Sequence, residues 1–114
     1  MKEIIIFKGQ YAELKQLITV FQGKTQFEIE KPTFNNDGVY AVDPGAILSL
    51  AIAIVGPSGL IATLVKLFDK DEESAGRKTK CKIIKKREKT VYEFKNLTGE
   101  EIVSIIDAVN NDDT

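Results

Sequence analysis

The spacing of apolar residues changes period several times along this chain, and each change predicts an element. Glu3 to Lys8 is a short β-rich run ending at Gly9, which predicts a mostly buried strand. Tyr11, Leu14, Ile18 and Phe21 then recur at helical spacing with Glu13, Lys15 and Gln16 between them, an amphipathic helix closed by Gly23. From Thr25 to Lys31, Thr25, Phe27 and Ile29 alternate with Gln26, Glu28 and Glu30, a half-buried strand stopped by Pro32.

Residues 32–43 read as a loop, because Asn35-Asn36-Asp37-Gly38 tolerates left-handed backbone angles. Asp43 and Pro44 then have the form of a helix start, one as cap and the other at the first helical position. The apolar helical segment they open covers 44–69, and Ala46 to Val65 is twenty residues without a charge. Pro57, within Gly56-Pro57-Ser58-Gly59, removes a backbone donor and predicts a kink or a break into two shorter helices. Leu60, Ile61, Leu64, Val65 and Phe68 resume at helical spacing, and an acidic stretch from Asp69 to Glu73 returns the chain to water.

Residues 77–95 read as a basic β-hairpin with its turn at Lys85 to Lys89. Thr79, Cys81 and Ile83 share one face of the first arm, and Thr90, Tyr92 and Phe94 share one face of the second. Thr98 and Glu101 are spaced as a capping box, with Leu97 and Ile102 as the staple over it. Ile102, Ile105, Ile106 and Val109 form the buried stripe of the last helix, and 110–114 read as a polar tail that frays. The order is β-α-β, a long kinked or broken apolar helix, then β-β-α. That order predicts a single α+β domain over 1–114, a small four-stranded sheet with helices packed on one face.

Composition narrows the chemistry. A chain of 114 residues, 43% hydrophobic and 29% charged, can bury a modest core without metals or disulfides. The absence of histidine removes the usual general base, the commonest metal ligand and every His-activated nucleophile. With the single Cys81 read as a structural thiol, the expectation is a non-enzyme with no catalytic, cofactor-binding or metal-ligating residues and no cofactor. The N-terminus lacks the pattern of a signal peptide, so a cytoplasmic setting is expected, with membrane association as the alternative.

Two features could carry function. Residues 46–65 are just long enough to span a bilayer, yet the Gly-Pro break divides them into pieces short enough for a soluble core. A domain this small leaves part of such a segment uncovered, which makes Leu50, Ile54, Leu60, Ile61, Leu64 and Phe68 candidates for contact with a protein partner or a second copy. The second feature is the hairpin, because eight of the sixteen Lys and Arg residues lie between Arg77 and Lys89. Lys78, Lys80, Lys82, Lys85, Lys86 and Arg87 are candidates for contact with an anionic partner, or else protect a solvated edge strand. With a formal net charge of −1 and no aromatic interleaved with these lysines, nucleic acid ranks behind protein and membrane as a partner.

Asp43-Pro44-Gly45 opening an apolar helix, the Lys-rich hairpin, and Leu97-Thr98-Gly99-Glu100-Glu101 opening a final helix together resemble the effector-associated constant component family of bacterial conflict systems. The resemblance covers roughly Asp43 to Val109 and implies a non-catalytic adaptor that links effector modules. The Gly56 to Gly59 break departs from it. The expectation is therefore an adaptor or assembly subunit, with a membrane-inserted protein and a nucleic-acid accessory protein as the alternatives.

Overall fold

The computed structural model describes residues 2–30, 33–34, 47–69, 81–95 and 97–112. Strand β1 (Lys2–Gln10) leads directly into helix α1 (Tyr11–Gln22), followed by two short strands, β2 (Phe27–Ile29) and β3 (Thr33–Phe34). Then come β4 (Ile47–Ile54), α2 (Leu60–Asp69), β5 (Cys81–Lys85), β6 (Lys89–Phe94) and α3 (Gly99–Asn110). The class is α+β, as the pattern predicts.

The strands form one mixed sheet in the order β2-β4-β1-β6-β5, with β3 also pairing with β4. Strand β1 joins the two halves of the chain. It runs antiparallel to β4 with Phe7 opposite Leu50, and parallel to β6 with Phe7 opposite Phe94. Directly paired residues share a face of the sheet, so Ile5, Phe7, Leu48, Leu50, Ile52, Phe27 and Phe94 all point the same way. The inner residues of α1 (Leu14, Leu17, Phe21), α2 (Leu60, Leu64, Phe68) and α3 (Ile102, Ile105, Val109) join them in a single buried cluster. The three helices among the described residues therefore cover one face.

Phenylalanine rings tie the layers together. Phe27 meets Phe21 edge to face at 5.0 Å, Phe21 lies 6.0 Å from Phe7, Phe7 stacks on Phe94 at 5.6 Å, and Phe94 lies 5.2 Å from Phe68. Offset and edge-on pairs at these spacings add to the burial of each ring. On the opposite face, Ile4, Ala53 and Val91 are buried side by side in one row across β4, β1 and β6.

The central apolar helix is the main correction. Residues 47–54 form a strand, and only Leu60–Asp69 is helical. Leu48, Leu50 and Ile52 are fully buried under the helices, while Ser49, Ala51 and Ala53 alternate onto the other face. A strand lying inside a sheet is apolar on both faces, so its sequence reads as a continuous hydrophobic run. The break at Gly56-Pro57-Ser58-Gly59 is where the pattern places it, but it joins a strand to a helix. Glycine fits closely there, since a Cβ on Gly56 would lie 3.1 Å from Gln26 Cα and press on that backbone. A bilayer-spanning helix over 46–65 is not what this segment forms, and among the described residues no helix is long and apolar enough to cross a membrane. The sheet also has more than the expected four strands. The expected strand over 25–31 is only Phe27–Ile29. Within the expected 32–43 loop, Thr33–Phe34 pairs with β4 as a short strand, and the rest of that loop, together with Pro44, lies outside the described residues.

Candidate interaction surface and charged clusters

The sequence-flagged apolar residues lie inside the molecule. Leu50, Leu60 and Leu64 are buried to within 1% of complete, Phe68 is 6% exposed, and Ile54 and Ile61 pack against the same core. The apolar surface of Leu50, Leu60, Leu64 and Phe68 is covered by this chain's own strands and helices. Ile54 and Ile61 are only partly buried, and the other four are enclosed in the core.

The basic hairpin is a real surface. Lys82, Lys85, Lys86 and Arg87 are all exposed, whereas Lys78 and Lys80 lie outside the described residues. Strands β5 and β6 pair antiparallel from Cys81 opposite Phe94 to Lys85 opposite Thr90. The Lys86 amide closes the turn by donating to the Lys89 carbonyl at 2.8 Å. Because β5 ends the strand order, the side of its backbone away from β6 has no partner strand among the described residues. Ile83, on the helix-bearing face opposite Tyr92, is 48% exposed. The Tyr92 hydroxyl donates to Glu3 Oε2 at 3.4 Å. Burial and the neighbouring Glu3 carboxylate raise its pKa above the ordinary tyrosine value.

Two charged clusters escape the sequence pattern. On the face without helices, Glu93 accepts from Lys8 at 3.3 Å and from Lys95 at 3.2 Å, with its side chain only 11% exposed. Burial pushes the Glu93 carboxyl up, but the hydrogen bonds and charges of Lys95 and Lys8 outweigh it and hold the group below the usual range. Lys8 and Lys95 also flank a shallow cleft floored by Gly9 and Ile47. Alternation along β6 turns Glu93 to the face away from Phe94, but nothing local reveals the two lysines that meet it.

The other cluster gathers on Asp112. Its Oδ2 accepts from the Ser58 hydroxyl at 2.6 Å and its Oδ1 from the Gly59 amide at 3.0 Å. Gln26 Nε2 donates to the Asp112 carbonyl at 3.3 Å and to Oδ2 at 3.4 Å. Burial again pushes this carboxyl up, while the bonds from Ser58, Gly59 and Gln26 and the charge of Lys24 bring it below its usual value. This corrects the fraying tail: α3 runs through Asn110, and Asp112 is fastened, while 113–114 lie outside the described residues. The partners are 54 and 86 residues away in sequence, so no local signal announces them.

Cys81 is partly buried at the start of β5, opposite Phe94. Among the described residues, no three His, Cys, Asp or Glu side chains are grouped so as to hold a metal ion. No family model, curated protein or solved structure matches this chain.

Proposed function

We propose that this protein is a non-enzymatic adaptor that docks an acidic, extended segment of a protein partner along β5. The supporting observation is the combination found on that strand: an edge position among the described strands, an exposed Ile83, and Lys82, Lys85, Lys86 and Arg87 all in solvent. A strand added to a sheet edge gains main-chain hydrogen bonds, and alternate side chains set its specificity. Here the side chains select for negative charge.

A second copy fits less well, because pairing β5 with itself sets Lys82 and Lys85 against the same strand's lysines. Like charges across a strand pair are destabilising. The adaptor role is of the kind that the resemblance to effector-associated constant components implies. It differs from the expectation at sequence level in one respect: the docking surface is the basic hairpin, and the apolar segment belongs to the core.

Calorimetric titration with a synthetic peptide of alternating Glu and Val tests this reading. Binding is expected at low salt, weakened as salt screens the lysines, and abolished by the Lys82→Glu, Lys85→Glu double substitution. Binding unaffected by that double substitution, or binding of anionic vesicles or nucleic acid but not of the peptide, would overturn it.

A further inference from the structure

Helix α2 borrows its cap from the far end of the chain. Its first turn contains no acidic residue, although the N–H groups there are unsatisfied by the helix itself. Asp112 supplies the missing negative charge. One carboxylate oxygen accepts from the Gly59 amide, and the other accepts from the Ser58 hydroxyl, whose oxygen in turn accepts from the Leu60 amide at 3.1 Å. A carboxylate at this end of a helix is favoured both as a hydrogen-bond acceptor and by the helix dipole.

Gln26 extends the connection. It is only 6% exposed, and its carbonyl takes the Val55 and Gly56 amides at 2.9 and 3.2 Å while its side chain donates to Asp112. The segment before β2, the turn between β4 and α2, and the end of the chain therefore meet at one carboxylate. Below this cluster, α2 is held by Leu60, Leu64 and Phe68 in the core.

We propose that Asp112 is a latch on α2: while it is bound the helix stays closed over the sheet, and when it is lost the helix opens as a unit with the sheet still folded. Opening would uncover Leu60, Ile61, Leu64 and Phe68, the apolar stripe that the sequence marks for contact. The latch is independent of whether β5 docks a partner. Loss of a charged cap corresponds to roughly a tenfold change in an opening equilibrium.

Native-state hydrogen exchange on the full chain tests it, comparing the unaltered protein with Asp112→Asn and Ser58→Ala. In the unaltered protein, amides of α2 are expected to exchange through an opening with a smaller denaturant dependence than the global unfolding that exposes β1 and β4. In Asp112→Asn they are expected to exchange about tenfold faster, with that smaller dependence kept. Ser58→Ala is expected to act in the same direction more weakly, and it decides the matter if Asp112→Asn does not fold. Unchanged α2 exchange, or α2 amides that share the denaturant dependence of β1 and β4, would overturn the latch.

Discussion

The Ser58 hydroxyl donates to the Asp112 carboxylate at 2.6 Å, joining the start of one helix to the end of another across 54 residues. A hydrogen bond to an ionised group contributes about 1.5–3 kcal/mol. Asp112→Ala is expected to lower stability by about 2 kcal/mol and Ser58→Ala by about 1 kcal/mol. Urea unfolding of both single variants and the double variant should give a coupling near 1 kcal/mol or more, since the pair shares one interaction. Strict additivity would show that the two residues act separately.

Acid should expose the same pair of clusters. Asp112 and Glu93 are both held below the usual carboxylate range in the fold. Such a group binds fewer protons folded than unfolded, so its stabilisation is present above the unfolded value of about 4 and is lost as pH falls through the folded value. Unfolding free energy is therefore expected to drop between about pH 5 and pH 3, more shallowly in Asp112→Asn and in Glu93→Gln. Parallel slopes in all three proteins would remove these carboxyls from the account.

Two glycines should respond with opposite signs. Gly56→Ala would set a Cβ 3.1 Å from Gln26 Cα, a backbone atom that cannot swing away. The expected cost is about 1–3 kcal/mol. Gly23 has an ordinary φ of −84° and no neighbour nearer than 3.8 Å. Alanine there should gain about 0.4–1 kcal/mol by restricting the unfolded chain. Thermal melts of the two variants on opposite sides of the parent would agree with this geometry.

Phe7 lies in the middle of the ring series, between Phe21 and Phe94. Phe7→Ala is expected to cost about 3–5 kcal/mol, enough to unfold a marginal domain. Exposed Ile83 should behave differently, with Ile83→Thr within about 0.5 kcal/mol of the parent. A large loss at Ile83 would place it in the core and weaken the docking proposal.

What was legible in the sequence was local. The capping box of α3 stands as spaced, with the Thr98 amide donating to Glu101 at 2.8 Å and the Glu101 amide to Thr98 Oγ1 at 3.3 Å. The hairpin turn and the alternation within each arm over Cys81–Lys85 and Lys89–Phe94 also follow from short-range pattern, residues 77–80 lying outside the described residues. The register that sets Cys81 and Ile83 on the face of Phe94 and Tyr92 comes instead from the pairing. Strand β4 did not follow. Leu48, Leu50 and Ile52 alternate as a strand requires, but small residues between them fit a helix equally well at that length. What decides the matter is β1, whose Phe7 pairs with Leu50 from forty-three residues earlier in the chain. The clusters at Glu93 and Asp112 were hidden for the same reason, because their partners meet only once the fold exists.

The most direct test follows the amide signals of isotope-labelled protein during titration with the alternating Glu-Val peptide. The account predicts shifts concentrated at Lys82, Ile83, Lys85, Lys86 and Arg87, fading as salt is added. Shifts concentrated instead at Leu60, Ile61, Leu64 and Phe68, with β5 silent, would contradict it and return the docking role to the apolar segment.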